Sequence, residues 1–183
     1  MLEELIVRHC APTLAGIKTA GLFRCPYASP GDLHRELCRL NRLLRGKGLC
    51  ILPLQVGAKD ALIYLYRPWG LKQDLSRQEA WEILDRQGYS DYGTGKRIQT
   101  LMDRLEHKRG FPHEIGLFLG YPPEDVRGFM EQGAENCKLI GAWKVYGDAD
   151  AARRLFRAYK LCTDHSLRRL QKGEPLERLA VMT

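Results

Sequence analysis

The chain has 183 residues, of which 44% are hydrophobic and 28% are charged, and its formal net charge is +7. These proportions are typical of a globular protein and exclude an intrinsically disordered chain. No stretch approaches the roughly 20 apolar residues that cross a bilayer. Glu3 and Glu4 lie where a secretory signal carries no acidic residues. We therefore expect a cytoplasmic protein with no membrane insertion.

The predicted elements begin with an irregular lead segment over residues 1–28, which prolines and glycines punctuate and which has room for a short helix. The first clear helix starts at Ser29, a capping residue that Pro30 follows at the first turn. Leucines occupy one face of this helix and arginines the opposite face, which predicts one buried side. The leucines are Leu33, Leu37, Leu40 and Leu44, and the arginines are Arg35, Arg39, Arg42 and Arg45.

A β-hairpin is predicted after this helix. Two apolar runs, 49–56 and 61–67, flank the tetrapeptide 57–60, whose glycine and aspartate favour a turn. Pro53 has no N–H to donate to a neighbouring strand, so the first strand is expected at a sheet edge or with a bulge.

Two further helices follow the hairpin. The sequence 76–79, Ser-Arg-Gln-Glu, is a capping box and predicts a helix that ends at Gly88. A helix over 94–107 is predicted from an apolar stripe at helical spacing. The stripe consists of Ile98, Leu101, Met102 and Leu105.

The last part of the chain, residues 111–183, alternates between strand and helix patterns. Strands are predicted over 115–119 and 138–146, with a helix between them that opens at Pro122. A helix-length crossover of this kind allows the two strands to pair in parallel. Asp148 is expected to cap a long final helix.

These elements predict a single α+β domain over residues 1–183. It would consist of the lead segment 1–28, a helix-hairpin-two-helix half over 29–110 and a strand-helix-strand-helix half over 111–183. We expect one mixed sheet of about four strands, one hairpin and one strand-helix-strand unit, packed with about five helices.

The cysteines are predicted to be reduced thiols. No two of them form a C-x-x-C pair, which excludes the common zinc-ribbon, iron–sulfur and thioredoxin motifs. A chain of this length without export features has no need of stabilising bridges. We therefore expect no disulfide among Cys10, Cys25, Cys38, Cys50, Cys137 and Cys162.

The lead segment holds the first candidate site, at His9 and Cys10. A thiolate forms near neutral pH when a cation or imidazolium lies close to it, so Cys10 is a candidate nucleophile or metal ligand. His9 and Lys18 are candidates for contacts with a cofactor. The alternative is a buried thiol beside a surface imidazole, and the sequence leaves both open.

His113 and Glu114 form the second candidate site, just before the apolar run at 115–119. An imidazole and a carboxylate at a strand edge can act as acid and base, or His113 can ligate a metal together with Cys10. The alternative is a histidine that bonds a loop carbonyl. Trp143 is the third candidate: it follows Gly141 in a predicted strand and would line a pocket, with Lys144 on the opposite face, unless it only packs the core.

Three segments carry a family signature: HCAPTLAG at 9–16, FPHEIGLFLGYP at 111–122 and WKVY at 143–146. Together they resemble a domain-of-unknown-function family of small proteins from anaerobic bacteria. The resemblance covers nearly the whole chain and implies a single cytosolic domain. It also implies a role in iron or redox physiology, because genes of this kind can lie near ferrous-iron transport and flavodoxin genes.

The leading functional hypothesis is an accessory protein of metal (iron or haem) or redox metabolism, with a small-molecule or metal ligand bound by His9 and Cys10 together with His113 and Glu114. A cysteine-dependent enzyme that acts on a small molecule is the first alternative. The second is a nucleic-acid-binding or regulatory module that uses the arginine faces, although a positive charge spread over several helices favours a solvated surface. A pure interaction scaffold is also consistent with the sequence.

Overall fold

The computed structural model describes residues 2–89, 93–107 and 110–182. Within them the fold is α+β, as predicted, and the chain divides into two compact units, residues 1–69 with 161–183 and residues 70–160. That the whole chain is one domain stays a prediction. The elements are α1 Leu2–Leu14, β1 Ala20–Pro26, α2 Pro30–Leu44, β2 Cys50–Val56, β3 Asp60–Tyr66, α3 Pro68–Leu75, α4 Gln78–Arg86, α5 Thr94–His107, α6 Ile115–Phe118, α7 Pro123–Gln132, β4 Leu139–Ile140, β5 Lys144–Val145, α8 Ala149–Gln171 and α9 Leu176–Leu179.

The first unit is built on an antiparallel sheet in the order β1-β3-β2. The predicted hairpin is confirmed as β2 and β3. Pro53 lies in the edge strand β2, and the register shifts between Pro53 and Gln55. Both expectations for this proline are therefore met, because an edge strand with a bulge tolerates a missing N–H donor.

The prediction of an irregular lead segment over 1–28 is wrong, although the short helix that it allowed for is present. Residues 2–14 form α1 and residues 20–26 form β1, which pairs with the central strand β3. Gly21 lies within β1 because the Cys10 side chain fills the space that a Cβ at this position would occupy. The glycine that suggested a loop is thus a close approach of helix to strand.

The helix α2 forms as its sequence predicts. Ser29 caps it by accepting a hydrogen bond from the Asp32 N–H at 3.1 Å. All four leucines of the apolar face are buried and all four arginines of the opposite face are exposed. Asn41 ties the helix to β2, because its side chain donates to the Ile51 carbonyl and accepts from the Ile51 N–H.

Arg67 is a buried polar centre of the first unit, 5% exposed. Its guanidinium donates hydrogen bonds to the carbonyls of Thr13 and Leu14 at the end of α1, both at 2.8 Å. It also donates to the carbonyls of Lys47 at 3.1 Å and Val181 at 3.0 Å. One side chain therefore joins the end of α1 to the 3₁₀ turn Arg45–Lys47 and to the C-terminal segment.

The prediction of two long strands in the second unit, over 115–119 and 138–146, is wrong. Residues 115–118 form the short helix α6, which starts with a turn in which the Ile115 N–H donates to the Pro112 carbonyl. A run of five apolar or small residues is too short to show whether its period is that of a strand or a helix. The parallel strand-helix-strand unit is therefore absent from the described residues, and every strand pair in them is antiparallel.

The strand predicted over 138–146 is a small hairpin instead. Its strands β4 and β5 pair Leu139 with Val145 and Ile140 with Lys144. The chain reverses at residues 141–143, where the Phe156 ring occupies the space that a Cβ at Gly141 would fill. The predicted single mixed sheet is thus replaced, in the described part of the chain, by two separate antiparallel sheets.

The predicted helices α5, α7 and α8 agree with the structure. α5 spans Thr94–His107 as predicted, and Asp148 caps α8 by accepting from the N–H groups of Asp150 and Ala151. The capping box predicted at the start of α4 does not form, because the Ser76 hydroxyl donates to the Lys72 carbonyl and the helix begins at Gln78. None of the described helices has the length and apolarity needed to cross a membrane.

The cysteine prediction is confirmed. All six cysteines lie among the described residues, and each is a free thiol.

Candidate functional site

The second unit contains a cavity of about 450 Å³. This volume lies within the range of small-molecule sites in proteins, about 300–1,000 Å³. Its wall is largely apolar and aromatic, with a few polar groups. The lining residues are Phe111, His113, Ile115, Gly116, Leu119, Tyr121, Asp125, Val126, Phe129, Ala142, Trp143 and Lys144.

The floor of the cavity forms where α6 meets α7. Gly116 makes this close contact possible, because a Cβ at this position would lie 2.8 Å from Val126 Cγ2 and 3.0 Å from Tyr121 Cδ2. Both distances are well below ordinary carbon–carbon contact. The short helix α6 therefore depends on a glycine to bring its backbone to the cavity wall.

Asp125, in the first turn of α7, fixes the hairpin that forms one wall. It is 3% exposed. Its Oδ2 accepts from Trp143 Nε1 at 2.7 Å, and its Oδ1 accepts from the N–H groups of Tyr146 at 2.7 Å and Gly147 at 2.8 Å. Three N–H donors thus stabilise the buried carboxylate, which serves to position Trp143.

Trp143 is the central aromatic residue of the wall. Its ring stacks on Tyr121 at 4.7 Å between centroids and meets the edge of Phe156 at 4.6 Å. Burial raises the pKa of the Tyr121 hydroxyl to about 12, so this group stays protonated at neutral pH. The indole is therefore held in one orientation, and the Tyr121 hydroxyl adds no negative charge beside it.

Two nitrogen-bearing side chains flank Phe129 at the cavity. The exposed His113 ring meets the Phe129 ring edge-on with 4.9 Å between centroids. The Lys144 ammonium lies 5.6 Å from the centroid of the same ring. A molecule that stacked on the aromatic wall could thus place a polar or anionic group beside either nitrogen.

A family model described as "Protein of unknown function (DUF3793)" matches residues 6–180. The chain belongs to DUF3793. The family resemblance expected from the sequence is thereby confirmed, although the signature and the anaerobic origin are not tested by this match. No curated protein and no solved structure matches the chain.

In this DUF3793 protein the neighbours His113 and Glu114 have different surroundings. His113 lines the cavity, whereas Glu114 is 2% exposed and forms an ion pair with Arg104 at 2.5 Å. Glu114 also accepts a hydrogen bond from the Tyr89 hydroxyl at 3.1 Å, and burial together with this carboxylate raises the pKa of Tyr89. Glu114 therefore anchors the turn that carries His113.

Cys10 lies in the core of the first unit of the DUF3793 chain, with no exposed surface. Burial raises the pKa of its thiol to about 12, although the charge of Lys18 acts in the opposite direction. The thiolate expected at this position is thus disfavoured at neutral pH. Because His113 belongs to the second unit, a site shared by Cys10 and His113 stays a prediction.

The three cofactor candidates lie in different units: His9 and Lys18 belong to the first and Trp143 to the second. His9 is exposed on α1 and stacks on Phe23 at 5.8 Å, with a pKa that partial burial and the nearby Arg8 charge lower. Burial also lowers the pKa of Lys18. Trp143 alone among them lines the cavity, and Lys144 lines it as well, which corrects the expectation that the two face opposite sides.

The residues that complete the cavity were not predicted from sequence. Tyr121, Asp125 and Phe129 lie 14 to 22 positions away from Trp143 along the chain, and no local pattern links them to it. One signal was present: an aspartate in the first turn of a helix that opens with two prolines. No group of three or more histidine, cysteine, aspartate or glutamate side chains suited to a metal occurs in the described part of the chain.

Proposed function

We propose that this DUF3793 protein binds a flat, anionic organic molecule in the cavity of its second unit. The observation that supports this most is the pairing of a rigid aromatic wall, Trp143 on Tyr121, with a lysine and a histidine beside it. Stacking on such a wall stabilises any planar ligand, and the adjacent ammonium favours one that carries a carboxylate or a sulfonate.

The cavity's own carboxylate, on Asp125, is already paired with N–H donors. Asp125 accepts three hydrogen bonds, and its two oxygens face the indole and the hairpin backbone. The Lys144 ammonium lies over an aromatic ring at the same cavity. An anionic ligand therefore gains an attraction that a neutral ligand of the same shape lacks.

The proposal is tested with two matched ligands, 2-naphthoate and the neutral 2-naphthalenemethanol, measured by calorimetry. We expect the anion to bind about fivefold more tightly, since a partly exposed ion pair contributes about 1 kcal/mol. Lys144→Gln should abolish this preference and leave the binding of the neutral ligand unchanged. Lys96→Gln, an exposed lysine on α5, is the control and should keep the preference. Absence of binding by both ligands would contradict the proposal.

We also propose that the natural ligand belongs to iron, haem or redox metabolism, which the sequence resemblance implies. Haem is a flat molecule with carboxylates, and His113 is the imidazole of the cavity that would contact its iron. The test is the absorption spectrum on addition of haemin to the protein, to His113→Ala and to the control His107→Ala. A spectral change that His113→Ala does not alter would exclude this role for His113.

The two alternatives receive less support. A cysteine-dependent enzyme that used Cys10 would need a thiolate inside the core, where burial favours the thiol. A nucleic-acid site on α2 would use arginines of which Arg35 and Arg39 already pair with carboxylates. Binding of a DNA duplex that weakened steeply with salt would restore this alternative, by about one log unit per log salt for each phosphate neutralised.

A further inference from the structure

The helix α2 carries a cysteine and a histidine one turn apart on its exposed side. His34 and Cys38 are separated by four residues, so their side chains lie one above the other. The Cys38 Sγ and His34 Nε2 atoms are 3.6 Å apart, and both residues are exposed. This pair belongs to the first unit and has no part in the cavity of the second.

The distance between these two atoms equals the separation of two donor atoms bound to a tetrahedral metal ion. Zinc–sulfur bonds of about 2.3 Å and zinc–nitrogen bonds of about 2.05 Å, at a tetrahedral angle, place the two donor atoms about 3.6 Å apart. A linear two-coordinate ion with the same bond lengths would need about 4.4 Å. The observed separation therefore fits a tetrahedral ion without a change of backbone and is too short for a linear one.

We propose that His34 and Cys38 form a bidentate site for a divalent cation that takes sulfur and nitrogen ligands in tetrahedral geometry, such as Zn²⁺. On binding, the Cys38 S–H bond breaks and its proton goes to solvent. The sulfur and His34 Nε2 then bind the ion, which loses four of its six waters as it becomes four-coordinate, while the imidazole keeps its proton on Nδ1. Water fills the two remaining positions, and no electron is transferred.

Three arginines lie beside the pair, Arg35, Arg39 and Arg42, and two of them form ion pairs with carboxylates. Arg35 pairs with Asp32, and Arg39 pairs with Glu3 and Glu36, so carboxylates balance these two neighbouring charges. The helix itself is held by its serine cap and its buried leucine face. A rigid helix keeps the two donors at chelating distance, which lowers the entropy that binding must remove.

The test uses Co²⁺ as a spectroscopic substitute for Zn²⁺ on the full, reduced chain. We expect one ion per chain, a sulfur-to-cobalt charge-transfer band with tetrahedral ligand-field bands, and displacement by Zn²⁺. Binding should release a proton and weaken as the pH falls, because protons compete for both donors. Cys38→Ser and His34→Ala should each lower the affinity about tenfold or more.

The matched controls are Cys137→Ser and His165→Ala, which change a half-buried thiol and an exposed imidazole elsewhere. Both should bind Co²⁺ as the parent does. Because positions 34 and 38 are exposed, far-UV circular dichroism should show that the variants fold. No charge-transfer band up to millimolar Co²⁺, a band that survives Cys38→Ser, or an affinity unchanged in His34→Ala would each overturn the proposal.

Discussion

The replacement Asp125→Asn tests whether the carboxylate fixes the cavity wall. Asparagine keeps the size of the side chain but turns one acceptor oxygen into an N–H₂ donor, which then faces either the Trp143 indole N–H or two backbone N–H groups. At least one buried hydrogen bond to a charged acceptor is lost, and its donor is left without a partner. Each effect costs about 1.5–3 kcal/mol, and since the two overlap we expect a total loss of about 3 kcal/mol.

The assay is urea unfolding followed by circular dichroism, in a cycle with Trp143→Phe. Phenylalanine removes the indole N–H, so the double variant should be more stable than the sum of the single changes by about 1–2 kcal/mol. Asp150→Asn removes an exposed helical ion pair with Arg153 and should change stability by less than about 0.5 kcal/mol. An Asp125→Asn loss as small as this control, or strict additivity, would refute the positioning role.

Three further predictions concern the first unit. Burial raises the pKa of the Cys10 thiol from 9.0 to about 12. The stability that the buried thiol contributes should therefore be complete below about pH 9 and be lost as the pH rises towards about 12. Urea unfolding should show this fall in the free energy of unfolding for the parent and a smaller fall for Cys10→Ala. Iodoacetamide labelling with peptide mapping should modify the exposed Cys38 well before Cys10, and equal rates would contradict the burial of Cys10. Arg67→Lys should lower the free energy of unfolding by about 3 kcal/mol, because a lysine cannot reach four carbonyls at once. As a control, replacing both Arg35 and Arg42 with glutamine should change the free energy of unfolding by less than about 0.5 kcal/mol. A similar loss in the two experiments would contradict the role of Arg67 as a buried polar centre.

Local patterns were sufficient where one element determines its own environment. The capped helix α2, with leucines on one face and arginines on the other, was predicted with its burial pattern. The hairpin of β2 and β3 was predicted with the edge position and bulge at Pro53. In these elements the period of the apolar residues and the chemistry of the caps and turns favour the same structure.

The rest depended on contacts between distant parts of the chain. Gly21 suggested a loop because the packing of Cys10 against it cannot be inferred from the sequence. The run at 115–119 was too short to distinguish strand from helix. The sequence predicts a functional carboxylate at Glu114 because it does not reveal the ion pair with Arg104, which lies on α5. His113 and Trp143 were identified as candidates, but the aspartate that orients Trp143 was not.

The most direct test of ligand binding in the cavity is the NMR signal of the Trp143 indole N–H. The chain has three tryptophans, of which Trp69 is 71% exposed and Trp143 donates to Asp125 inside the cavity wall. On titration with 2-naphthoate, the Trp143 signal, assigned through Trp143→Phe, should shift saturably while the Trp69 signal stays in place. A Trp143 signal that does not move, or a saturable shift confined to Trp69, would contradict the assignment of this cavity as the ligand site.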